Sequence, residues 1–482
     1  MEVIRQHRAP VMSPWLLILF LFLGVSVAVA SMKSPVQLNK AQEKIMRDIL
    51  SSVSSTKNWN TSSNPCQWSG VHCSSAASSA FVIRLSLTGY GLSNATILAS
   101  ICHLDTLQSL DLSKNFFTDL PTKFSPCPMK AELQVLDLSS NMLSGHLGNF
   151  SGFQKLEVLD LSFNSLNGNI STQLSDLPKL RSLNLSSNGF EGLVPTSMVP
   201  SLEQLVFSGN NFGGHIPMGL FRYGNLTLLD LSQNNLIGEV PDGFLSFPEL
   251  RILLLSENNL TGKIPRSLLN VTTLFRFASN ENKFSGSIPQ GITKNIRMLD
   301  LSYNMLNGEM PSDLLSPDSL ETIDLTANRL EGLIPGNFSR SLYHLRLGCN
   351  MLSGSIPESI GNAIRLSYLE LDDNQLKGPI PSQLGKCKNM VLMDLSTNKL
   401  QGVVPDELSN LQKLLSGPMP EFPRGVMVDV TGNPGLRKGT EDPDSRYNMA
   451  STQDDFRSTT WVAAVSFVVG FIISFYWAGI RK

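Results

Sequence analysis

The chain has 482 residues, and 16% of them are charged, against about 25% in a typical globular protein. Its 38 lysines and arginines nearly balance 40 aspartates and glutamates, and this net charge of -2 argues against a basic nucleic-acid-binding protein. The 41% of hydrophobic residues exclude a disordered chain, while six cysteines and six histidines leave little material for a disulfide-stapled fold or metal chemistry. These totals favour binding or scaffolding over catalysis.

The first 30 residues are typical of a secretory signal peptide. Arg5 and Arg8 begin it with positive charge, and residues 15–29 form an uncharged and mostly apolar run. Small residues at the end of the run predict cleavage before Ser31. A membrane span is the alternative, but the run is short for about 30 Å of hydrocarbon. Further on, residues 38–50 predict a short amphipathic helix.

One pattern of leucine and asparagine repeats through most of the chain. Its first complete copy is Leu-x-x-Leu-x-Leu-x-x-Asn at 107–115, and an imperfect copy before it carries Tyr90 at the asparagine position. The asparagine recurs every 22 to 26 residues at thirteen positions: Asn115, Asn141, Asn164, Asn188, Asn210, Asn234, Asn258, Asn282, Asn304, Asn328, Asn350, Asn374 and Asn398. This is the period of a leucine-rich repeat. We therefore predict an α/β leucine-rich-repeat solenoid, curved, with a parallel β-sheet on its concave face.

The leucines and asparagines of this pattern have separate structural tasks. Inward leucines cannot be buried by one repeat alone, so stability must come from stacking the repeats. A side-chain amide such as that of Asn234 carries both donors and an acceptor, and it can satisfy backbone groups where the chain turns away from its strand. We expect these asparagines to form a buried ladder along the solenoid.

A second motif follows the asparagine and carries a resemblance to a known family. Gly-x-Ile-Pro stands at 262–265, 286–289 and 354–357. Glycine supplies turn freedom, and proline tolerates a position without a ladder hydrogen bond. With this motif the chain resembles the plant-specific leucine-rich repeats of receptor-like kinases and receptor-like proteins. The resemblance covers about residues 39–436.

The region before the repeats resembles the N-terminal capping domain of the same family. Trp59 precedes the segment CQWSGVHC at 66–73, and the resemblance implies a disulfide between Cys66 and Cys73. A cap is also required on physical grounds, because the end of a solenoid exposes its core. We therefore expect the α-helical and disulfide-bonded segment to cover the first repeat.

The other four cysteines lie within the repeats. Cys102 and Cys127 fall in comparable places of adjacent repeats, so we expect a second disulfide there, with two separate thiols as the alternative. Cys349 and Cys387 lie nearly two repeats apart, and we expect both to be unpaired.

Acidic residues recur on the exposed side of the predicted strands. The residue four places before each repeat asparagine is usually acidic and points to the concave surface. The members of this file are Asp111, Asp137, Asp160, Asp230, Asp300, Asp324, Glu370 and Asp394. We interpret the file as family consensus on a solvated surface, so its interruptions are more informative about binding.

The clearest interruption is Arg346, with His344 two residues earlier on the same strand face. Peptide receptors of the resembled family often carry Arg-x-Arg at this place, which captures the C-terminal carboxylate of a ligand, a task suited to a guanidinium fork. This chain has one arginine fewer there. We expect instead that Arg346 pairs with Asp324 or Glu370 on the flanking strands.

Further departures from the repeat consensus lie near Arg346 in the sequence. We predict that the repeats between 276 and 373 form the partner surface, because tyrosine and arginine are common binding anchors. The candidate ligand-binding residues are Arg276, Glu281, Tyr303, His344, Arg346, Tyr368, Glu370, Asp372 and Asp373. No catalytic residue, metal site or cofactor is predicted, because the sequence has no Gly-x-Ser-x-Gly, metal-ligand spacing or phosphate-binding loop.

The repeats end irregularly. The Leu-x-Gly triplet at 400–402 is followed by another at 415–417 only fifteen residues later, so we expect a truncated repeat near 415–420 from which a strand and its asparagine are absent. Arg437 then stands where members of the resembled family often have a cysteine. Our hypothesis is a shortened form of a receptor-like serine/threonine kinase.

The C-terminal segment predicts a membrane anchor. Residues 461–480 carry no charge and are long enough to cross a bilayer as a helix, with Arg481 and Lys482 on the cytoplasmic side. A GPI-attachment signal is the alternative, with small residues at 450–452, although such tails normally end apolar. One face of the predicted helix is small and would allow a second helix to pack closely: Ser466, Gly470, Ser474 and Ala478.

Nine Asn-x-Ser/Thr sequons accompany the signal peptide and predict a glycosylated extracellular domain. They are Asn60, Asn94, Asn149, Asn169, Asn184, Asn225, Asn259, Asn270 and Asn337. The predicted layout is a signal peptide at 1–30, an N-terminal cap at 31–80, about 14 repeats over 81–436, a juxtamembrane linker at 437–460, a transmembrane helix at 461–480 and a cytoplasmic tail at 481–482.

The leading functional hypothesis is a single-pass plasma-membrane protein whose repeats lie outside the cell and recognise a peptide or protein ligand. The sequence has no kinase motifs (no His-Arg-Asp loop and no Asp-Phe-Gly triplet), so we expect no enzyme activity and signalling through a co-receptor kinase, or a decoy role. An inhibitor of cell-wall enzymes is the alternative. Such inhibitors are usually secreted without a span, so the segment at 461–480 separates the two hypotheses. Nucleic acid is not an expected partner.

Overall fold

The computed structural model describes residues 37–53, 59–60, 62–74, 79–120, 126–170, 173–411 and 427–437. The predicted signal peptide, the linker beyond Arg437, the transmembrane helix with its small-residue face and the cytoplasmic tail lie outside these residues, as does the predicted truncated repeat near 415–420. Within the described ranges, no helix combines the length and the apolar composition needed to cross a bilayer.

Two long sheets run along the described chain. The first has 16 strands, of which β1 and β2 pair antiparallel and the later neighbours pair in parallel. Its strands are β1 (Val71–Cys73), β2 (Val82–Ser86), β3 (Ser109–Asp111), β4 (Val135–Asp137), β6 (Val158–Asp160), β8 (Ser182–Asn184), β10 (Gln204–Val206), β12 (Leu228–Asp230), β14 (Ile252–Leu254), β16 (Arg276–Ala278), β18 (Met298–Asp300), β20 (Thr322–Asp324), β22 (His344–Arg346), β24 (Tyr368–Glu370), β26 (Leu392–Asp394) and β28 (Met427–Asp429). The predicted parallel sheet of the solenoid is confirmed.

The second sheet has 13 strands, one after most ladder asparagines, and its neighbours pair in parallel. Its strands are β5 (Ser144–His146), β7 (Ser165–Gly168), β9 (Gly189–Leu193), β11 (Asn211–Gly214), β13 (Asn235–Glu239), β15 (Asn259–Gly262), β17 (Lys283–Gly286), β19 (Met305–Glu309), β21 (Arg329–Leu333), β23 (Met351–Gly354), β25 (Gln375–Gly378), β27 (Lys399–Val403) and β29 (Gly435–Arg437). The Gly-x-Ile-Pro motif predicted only a turn in this part of each repeat.

The helices are short and connect the sheets. The α-helices are α1 (Lys40–Ser52) in the cap and α2 (Ala95–Ile101) in the first repeats. Short 3-10 helices occupy Pro65–Gln67, Pro128–Ala131, Met218–Arg222, Phe244–Ser246, Arg266–Asn270, Glu358–Asn362, Ser382–Lys386 and Asp406–Asn410. Most of the 3-10 helices follow the Gly-x-Ile-Pro motif or a near copy of it, because proline fixes φ and removes a donor at the point where the chain leaves the second sheet.

Each repeat lays its strand on the preceding one in the same register. Leu205 of β10 lies opposite Leu183 of β8 and Leu229 of β12, and all three are buried. Gln204 and Val206 on either side are half-buried and point outward. Strands lie about 4.8 Å apart, whereas 3-10 helices on the opposite side need more room, so the solenoid curves toward the first sheet. We call the solvent side of this sheet the concave face.

Leucines and phenylalanines of successive repeats form one continuous core. The buried rings of Phe207 and Phe212 stack with centroids 5.1 Å apart, and the ring of Phe190 in the preceding repeat lies 6.5 Å from Phe212. Because each coil is covered by its neighbours, burial is complete only where coils stack. The prediction that inward leucines are hidden by stacking is confirmed.

The predicted asparagine ladder is confirmed. The Nδ2 of Asn234 donates to the carbonyl of Phe207 in the preceding repeat at 3.0 Å, and its Oδ1 accepts from the backbone N–H of Phe212 at 3.0 Å. Within its own repeat, Nδ2 donates to the carbonyls of Leu231 and Ser232 at 3.2 and 2.9 Å. Three members of the ladder are half-buried and not fully buried: Asn141, Asn164 and Asn188. Each amide therefore joins two coils and satisfies buried backbone groups.

The residue before each ladder asparagine adopts a left-handed conformation. Non-glycine residues hold this position at φ between 48° and 56°. A left-handed backbone costs a residue with a Cβ about 1–2 kcal/mol, so the bonds of the ladder must hold the turn. Three candidate site residues stand at this position: Glu281, Tyr303 and Asp373.

The glycine of the second motif can lie close to a side chain of the preceding coil. Gly238 has φ of 78°, and a Cβ on it would lie 2.1 Å from Nδ1 of His215 in the preceding coil. The exposed His215 side chain therefore lies across the glycine of the next coil. Other glycines of the motif, such as Gly308 and Gly402, have no such close contact, so the left-handed backbone is the feature that they share.

The N-terminal cap is tied to the first repeat by hydrogen bonds and aromatic packing. Gln42 of α1 is 3% exposed, donates to Asp105 and Thr106 at 3.0 and 2.8 Å, and accepts from the backbone N–H of Val82 at 2.8 Å. The rings of Trp59 and Trp68 stack with centroids 4.6 Å apart. The aromatic and helical cap thus closes the end of the core, as a solenoid requires.

The cysteines divide into two groups. Disulfides join Cys66 to Cys73 and Cys102 to Cys127, with Cα atoms 5.6 and 4.6 Å apart. Neither Cys349 nor Cys387 belongs to a disulfide of the described chain. Burial raises the pKa of the Cys387 thiol to about 11, which keeps it protonated and unreactive at neutral pH.

The ladder continues across the gap at 412–426. Asn433 lies 35 residues after Asn398 in the sequence. Its Nδ2 nevertheless donates to the carbonyl of Leu395 at 2.9 Å, and its Oδ1 accepts from the N–H of Leu400 at 3.0 Å. β28 pairs directly with β26, and β29 with β27. The truncated repeat predicted near 415–420 lies outside the described residues, and Met427–Asp429 and Asn433 occupy the next places in the sheet and the ladder after β26 and Asn398.

Candidate ligand-binding face

The acidic file of the concave face has a structural task. The Oδ1 of Asp230, at the end of β12, accepts from the backbone N–H and the hydroxyl of Ser232 at 3.0 and 2.6 Å. Asn184 makes the same two bonds to Ser186 at 3.0 and 2.8 Å, so the turn needs a side-chain oxygen and not a charge. These bonds organise the turn after the strand and give the file a structural reason to recur. The prediction of a solvated surface was wrong, because the members of the file are buried or half-buried.

Stacking carboxylates on adjacent strands makes some of them hard to ionise. Burial, reinforced by the neighbouring Asp160 carboxylate, raises the pKa of Asp137 to about 7. Burial, together with Asp324, raises the pKa of Asp300 to about 7 in the same way. Both groups lose water and face a like charge about one strand away. The concave face therefore changes its charge near neutral pH.

Removing the charge of Asp300 should change the pH dependence of stability. The folded-state pKa of Asp300 lies above its ordinary value of 3.8, so stability from this group is present at low pH and is lost as pH rises toward 7. Asp300→Asn keeps the oxygen that Ser302 needs, and we expect it to raise the free energy of unfolding by about 1–2 kcal/mol at pH 8 and to change it little at pH 4. Denaturant unfolding across this range measures the effect.

The control for this prediction is Asp318→Asn, because Asp318 is fully exposed on a loop of the same repeat. Surface substitutions of this kind usually change stability by less than about 0.5 kcal/mol. If Asp300→Asn and wild type lose stability equally between pH 4 and pH 8, the Asp300 carboxyl does not titrate in this range.

Arg346 pairs with both flanking carboxylates, as predicted. Its Nε lies 2.8 Å from Oε1 of Glu370 on β24, and its Nη1 lies 3.5 Å from Oδ2 of Asp324 on β20. All three side chains are about 20% exposed, so the pairs are largely desolvated. The guanidinium is thus occupied by the protein's own carboxylates, which leaves it poorly placed to capture the carboxylate of a ligand.

An aromatic cluster lies beside this ion pair. The ring of His344 stacks on Tyr343 at 4.7 Å between centroids and meets the edge of Tyr368 at 4.1 Å. Tyr343 is 39% exposed. Burial, with the adjacent Arg346, lowers the pKa of His344 to about 3, so its imidazole is neutral at physiological pH. We call Tyr343, His344 and Tyr368 the aromatic shelf.

The carboxylates on the C-terminal side of the shelf are partly buried. Burial raises the pKa of Glu370 to about 7 despite the opposing charge of Arg346. Burial, with the neighbouring Asp394, raises the pKa of Asp372 to about 6. Asp373, at the left-handed turn position, is exposed. In the described chain, the salt bridge of this group is the one between Arg346 and Glu370.

The structure brings together only part of the predicted partner surface. His344, Arg346, Tyr368, Glu370 and Asp372 lie on the neighbouring strands β22 and β24 and the turn after β24. Elsewhere on the face lie Arg276 in β16, Glu281 in the turn after it and Tyr303 in the turn after β18. Tyr343 was not among the predicted site residues, although an aromatic side chain directly before His344 was a usable signal.

Arg276 has its own set of neighbours. It is three strands away from His344, and the charges that act on it are those of Asp230 and Asp300. Burial lowers the pKa of Arg276, and the two carboxylates oppose this change. Arg276 therefore belongs to a separate ion cluster in the middle of the concave face.

The predicted glycosylation sites fall almost entirely on exposed positions. Asn184 differs, because it is half-buried in β8 and its Nδ2 donates to Oδ2 of Asp160 at 3.0 Å. A glycan on Asn184 would replace this bond and stand on the concave face. The exposed sequon asparagines are Asn60, Asn94, Asn149, Asn169, Asn225, Asn259, Asn270 and Asn337.

The two best-formed depressions of the described surface include no outward strand residue of the concave face. They are shallow, with volumes of about 330 and 350 Å³, and one is lined by Arg181 and Glu203 and the other by Lys386 and Glu407. Among the described residues, no group of three or more His, Cys, Asp or Glu side chains is arranged to hold a metal ion. A broad face of parallel strands suits an extended ligand better than a small molecule.

Three family models match five segments of this chain. The leucine-rich repeat model matches residues 131–190, 200–268 and 318–376, a single-repeat model matches 295–316, and the leucine-rich repeat N-terminal domain matches 41–74. The last match covers α1 and the Cys66–Cys73 segment, so it supports the assignment of this region as the cap.

Curated relatives are plant proteins. Receptor-like protein Cf-9 from Solanum pimpinellifolium is 34% identical over 183 residues, which is 36% of this chain and 21% of the relative. Protein BRASSINOSTEROID INSENSITIVE 1 from Arabidopsis thaliana is 36% identical over 206 residues, 38% of this chain and 16% of the relative. The matches thus span about a fifth or less of the length of these two proteins.

Two solved structures of a plant receptor kinase ectodomain resemble this fold. The repeat ectodomain of the Arabidopsis receptor kinase HAESA with an N-terminally extended IDA peptide hormone has a TM-score of 0.67 and 29% identity, covering 82% of this chain and 72% of that one. The complex of HAESA with IDA and the co-receptor SERK1 has a TM-score of 0.57 and 28% identity, covering 79% of this chain and 78% of that one.

Proposed function

Because the chain belongs to the leucine-rich-repeat proteins related to plant receptor-like proteins and receptor kinases, we propose that it is an extracellular recognition protein that binds a peptide ligand on its concave face. The interruption of the acidic file around Arg346 carries the proposal. There, His344 and Tyr368 stand at the first position of their strands, where other strands carry residues such as Val158, Leu228 and Thr322, and with the half-exposed Tyr343 they form the aromatic shelf. Aromatic side chains supply large contact areas at low entropic cost, which makes them common binding anchors.

The compartment and the partner are part of the same proposal. The signal-peptide pattern, the nine sequons and the apolar segment at 461–480 support a single-pass plasma-membrane protein with the repeats outside. Signalling then passes through a partner kinase, or the protein competes for the ligand as a decoy. The solved complex of a related ectodomain with a peptide hormone and a co-receptor supports the first of these routes.

The proposal is tested with the combined substitutions Tyr303→Ala, Arg346→Ala and Tyr368→Ala. We expect peptides selected on the full-length chain from a random display library to bind this variant at least about tenfold more weakly, because truncating a binding anchor typically costs 2 kcal/mol or more. Binding is measured by biolayer interferometry, and thermal unfolding checks that the variant is folded.

A matched control removes two apolar side chains and one cation from the opposite side of the solenoid. Met218→Ala, Arg222→Ala and Leu245→Ala change exposed residues in and around the 3-10 helices. The control variant should bind the selected peptides like wild type. If the selected peptides bind the Tyr303, Arg346 and Tyr368 variant as tightly as wild type, recognition takes place on another surface.

A further inference from the structure

The concave face concentrates negative charge that the chain as a whole does not have. The full sequence carries a net charge of -2. At the outward strand positions and the two turn positions before each ladder asparagine, the described face carries thirteen carboxylates and four cationic side chains. The carboxylates are Asp111, Asp137, Asp160, Asp230, Glu257, Glu281, Asp300, Asp324, Glu370, Asp372, Asp373, Asp394 and Asp429, and the cations are Arg84, Lys114, Arg276 and Arg346. The opposite charge is distributed over the other surfaces.

The charge is least compensated at the C-terminal end of the face. β24, β26 and β28 and their turns present five carboxylates and no lysine or arginine: Glu370, Asp372, Asp373, Asp394 and Asp429. Arg346 on the neighbouring strand β22 already pairs with Glu370 and Asp324. Within the described chain, no salt bridge reaches the other four carboxylates of this group. Burial disfavours the ionised form of Glu370, Asp372 and Asp394, and a bound cation would favour that form.

Two in-register files run across these strands. The third residues of these strands lie opposite one another: Arg346, Glu370, Asp394 and Asp429. The three carboxylates among them form the acidic file of this end. The first residues of the same four strands form a second, mainly apolar file beside it: His344, Tyr368, Leu392 and Met427. Met427 at one end of this file is 46% exposed, Leu392 within it is buried, and Tyr343, which directly precedes His344 at the other end, is 39% exposed.

We propose that β22–β28 dock an extended peptide segment whose lysine or arginine side chains lie on the acidic file and whose apolar side chains lie on the aromatic shelf and Met427. This inference rests on the proposed function and adds the chemistry of the ligand. The two files lie about 7 Å apart, the distance between alternate residues of a strand, so side chains of an extended peptide reach both. Tyrosine faces beside carboxylates also favour cations by cation–π attraction.

The charge of the ligand is tested with a variant that keeps the turn bonds. Asp372→Asn, Asp394→Asn and Asp429→Asn remove three charges while leaving oxygens to accept from Ser396 and Thr431, as Asn184 does for Ser186. Random twelve-residue peptides displayed on phage are selected on the full-length chain. We expect the enriched peptides to carry net positive charge and to bind the variant at least about tenfold more weakly, since charge-assisted contacts are lost.

Two controls separate docking from general attraction. Asp176→Asn, Glu249→Gln and Glu407→Gln remove the same charge from exposed positions off the concave face and should leave the affinity unchanged. Scrambled versions of the enriched peptides should bind at least about tenfold more weakly, because the two files require an order of side chains and not only a composition.

The outcomes distinguish this inference from the function it rests on. The inference is overturned if the enriched peptides are neutral or acidic, or if they bind the three-asparagine variant as tightly as wild type. The proposed function still stands if binding of those peptides requires Tyr303, Arg346 and Tyr368. Scrambled peptides that bind equally well also overturn the inference. A selection that yields no peptide dependent on the concave face overturns the proposed function itself.

Discussion

Replacing Gly70 with alanine is expected to destabilise the junction between the cap and the first repeat by about 2–5 kcal/mol. Gly70 has φ of 82°, and a Cβ on it would lie 2.2 Å from the carbonyl oxygen of Ser86 in β2. The backbone N–H of Ser86 donates to the carbonyl of Gly70 at 2.8 Å, so the two chains are held at this distance. Because the obstacle is backbone and not a movable side chain, the strands must separate.

Gly89→Ala is the matched control for this effect. Gly89 also has a left-handed backbone, with φ of 74°, but nothing lies within 4 Å of an added Cβ. We expect this variant to lose only about 1–2 kcal/mol, the cost of the backbone conformation. Denaturant unfolding and limited proteolysis of the cap measure both variants. Equal losses for Gly70→Ala and Gly89→Ala would show that close backbone approach is not what requires glycine at position 70.

Asn234→Ala should cost about 1–3 kcal/mol of unfolding free energy, because buried backbone groups lose their partner. Asn234 is 8% exposed and bonds one N–H and three carbonyls in two coils. Asn234→Asp keeps the shape but offers no N–H while ionised, so its carboxylate faces three carbonyl oxygens. We expect it to be less stable than the alanine variant at neutral pH and to recover as pH falls.

Asn235→Ala, one residue along, provides the comparison. Asn235 is exposed at the start of β13 and contributes its backbone to the pairing with β11. This substitution should change stability by less than about 0.5 kcal/mol. Thermal and denaturant unfolding of the three variants decide the question. An Asn234→Ala variant that melts like wild type would mean that the ladder contributes nothing to stability.

Sequence periodicity predicts those parts of the fold that repeat. Strand positions, inward leucines and the asparagine ladder all follow from a spacing of 22 to 26 residues, because each repeat must bury its leucines against the next. The pairing of Arg346 with Asp324 and Glu370 was also predictable, since in-register strands place the residues of one file next to each other.

Two features escaped this kind of prediction. The second sheet is made of short segments rich in glycine and polar residues, such as Asn211–Gly214, which have no alternation typical of strands. They pair only because the ladder and the first sheet bring successive coils into register. The direct contact of β26 with β28 was hidden as well, because spacing in the sequence does not limit how long a connecting coil can be.

For this protein, the sequence alone determined the architecture, because a solenoid is stabilised by contacts between neighbouring repeats that all obey one local pattern. Only the tertiary structure decided which outward side chains act together. The aromatic shelf unites His344, Tyr343 and Tyr368, whereas Arg276 lies apart from it. Strand register and burial, and not distance along the chain, decide which side chains are neighbours. The charge of each carboxylate was decided there too, since desolvation and a like charge one strand away set its pKa.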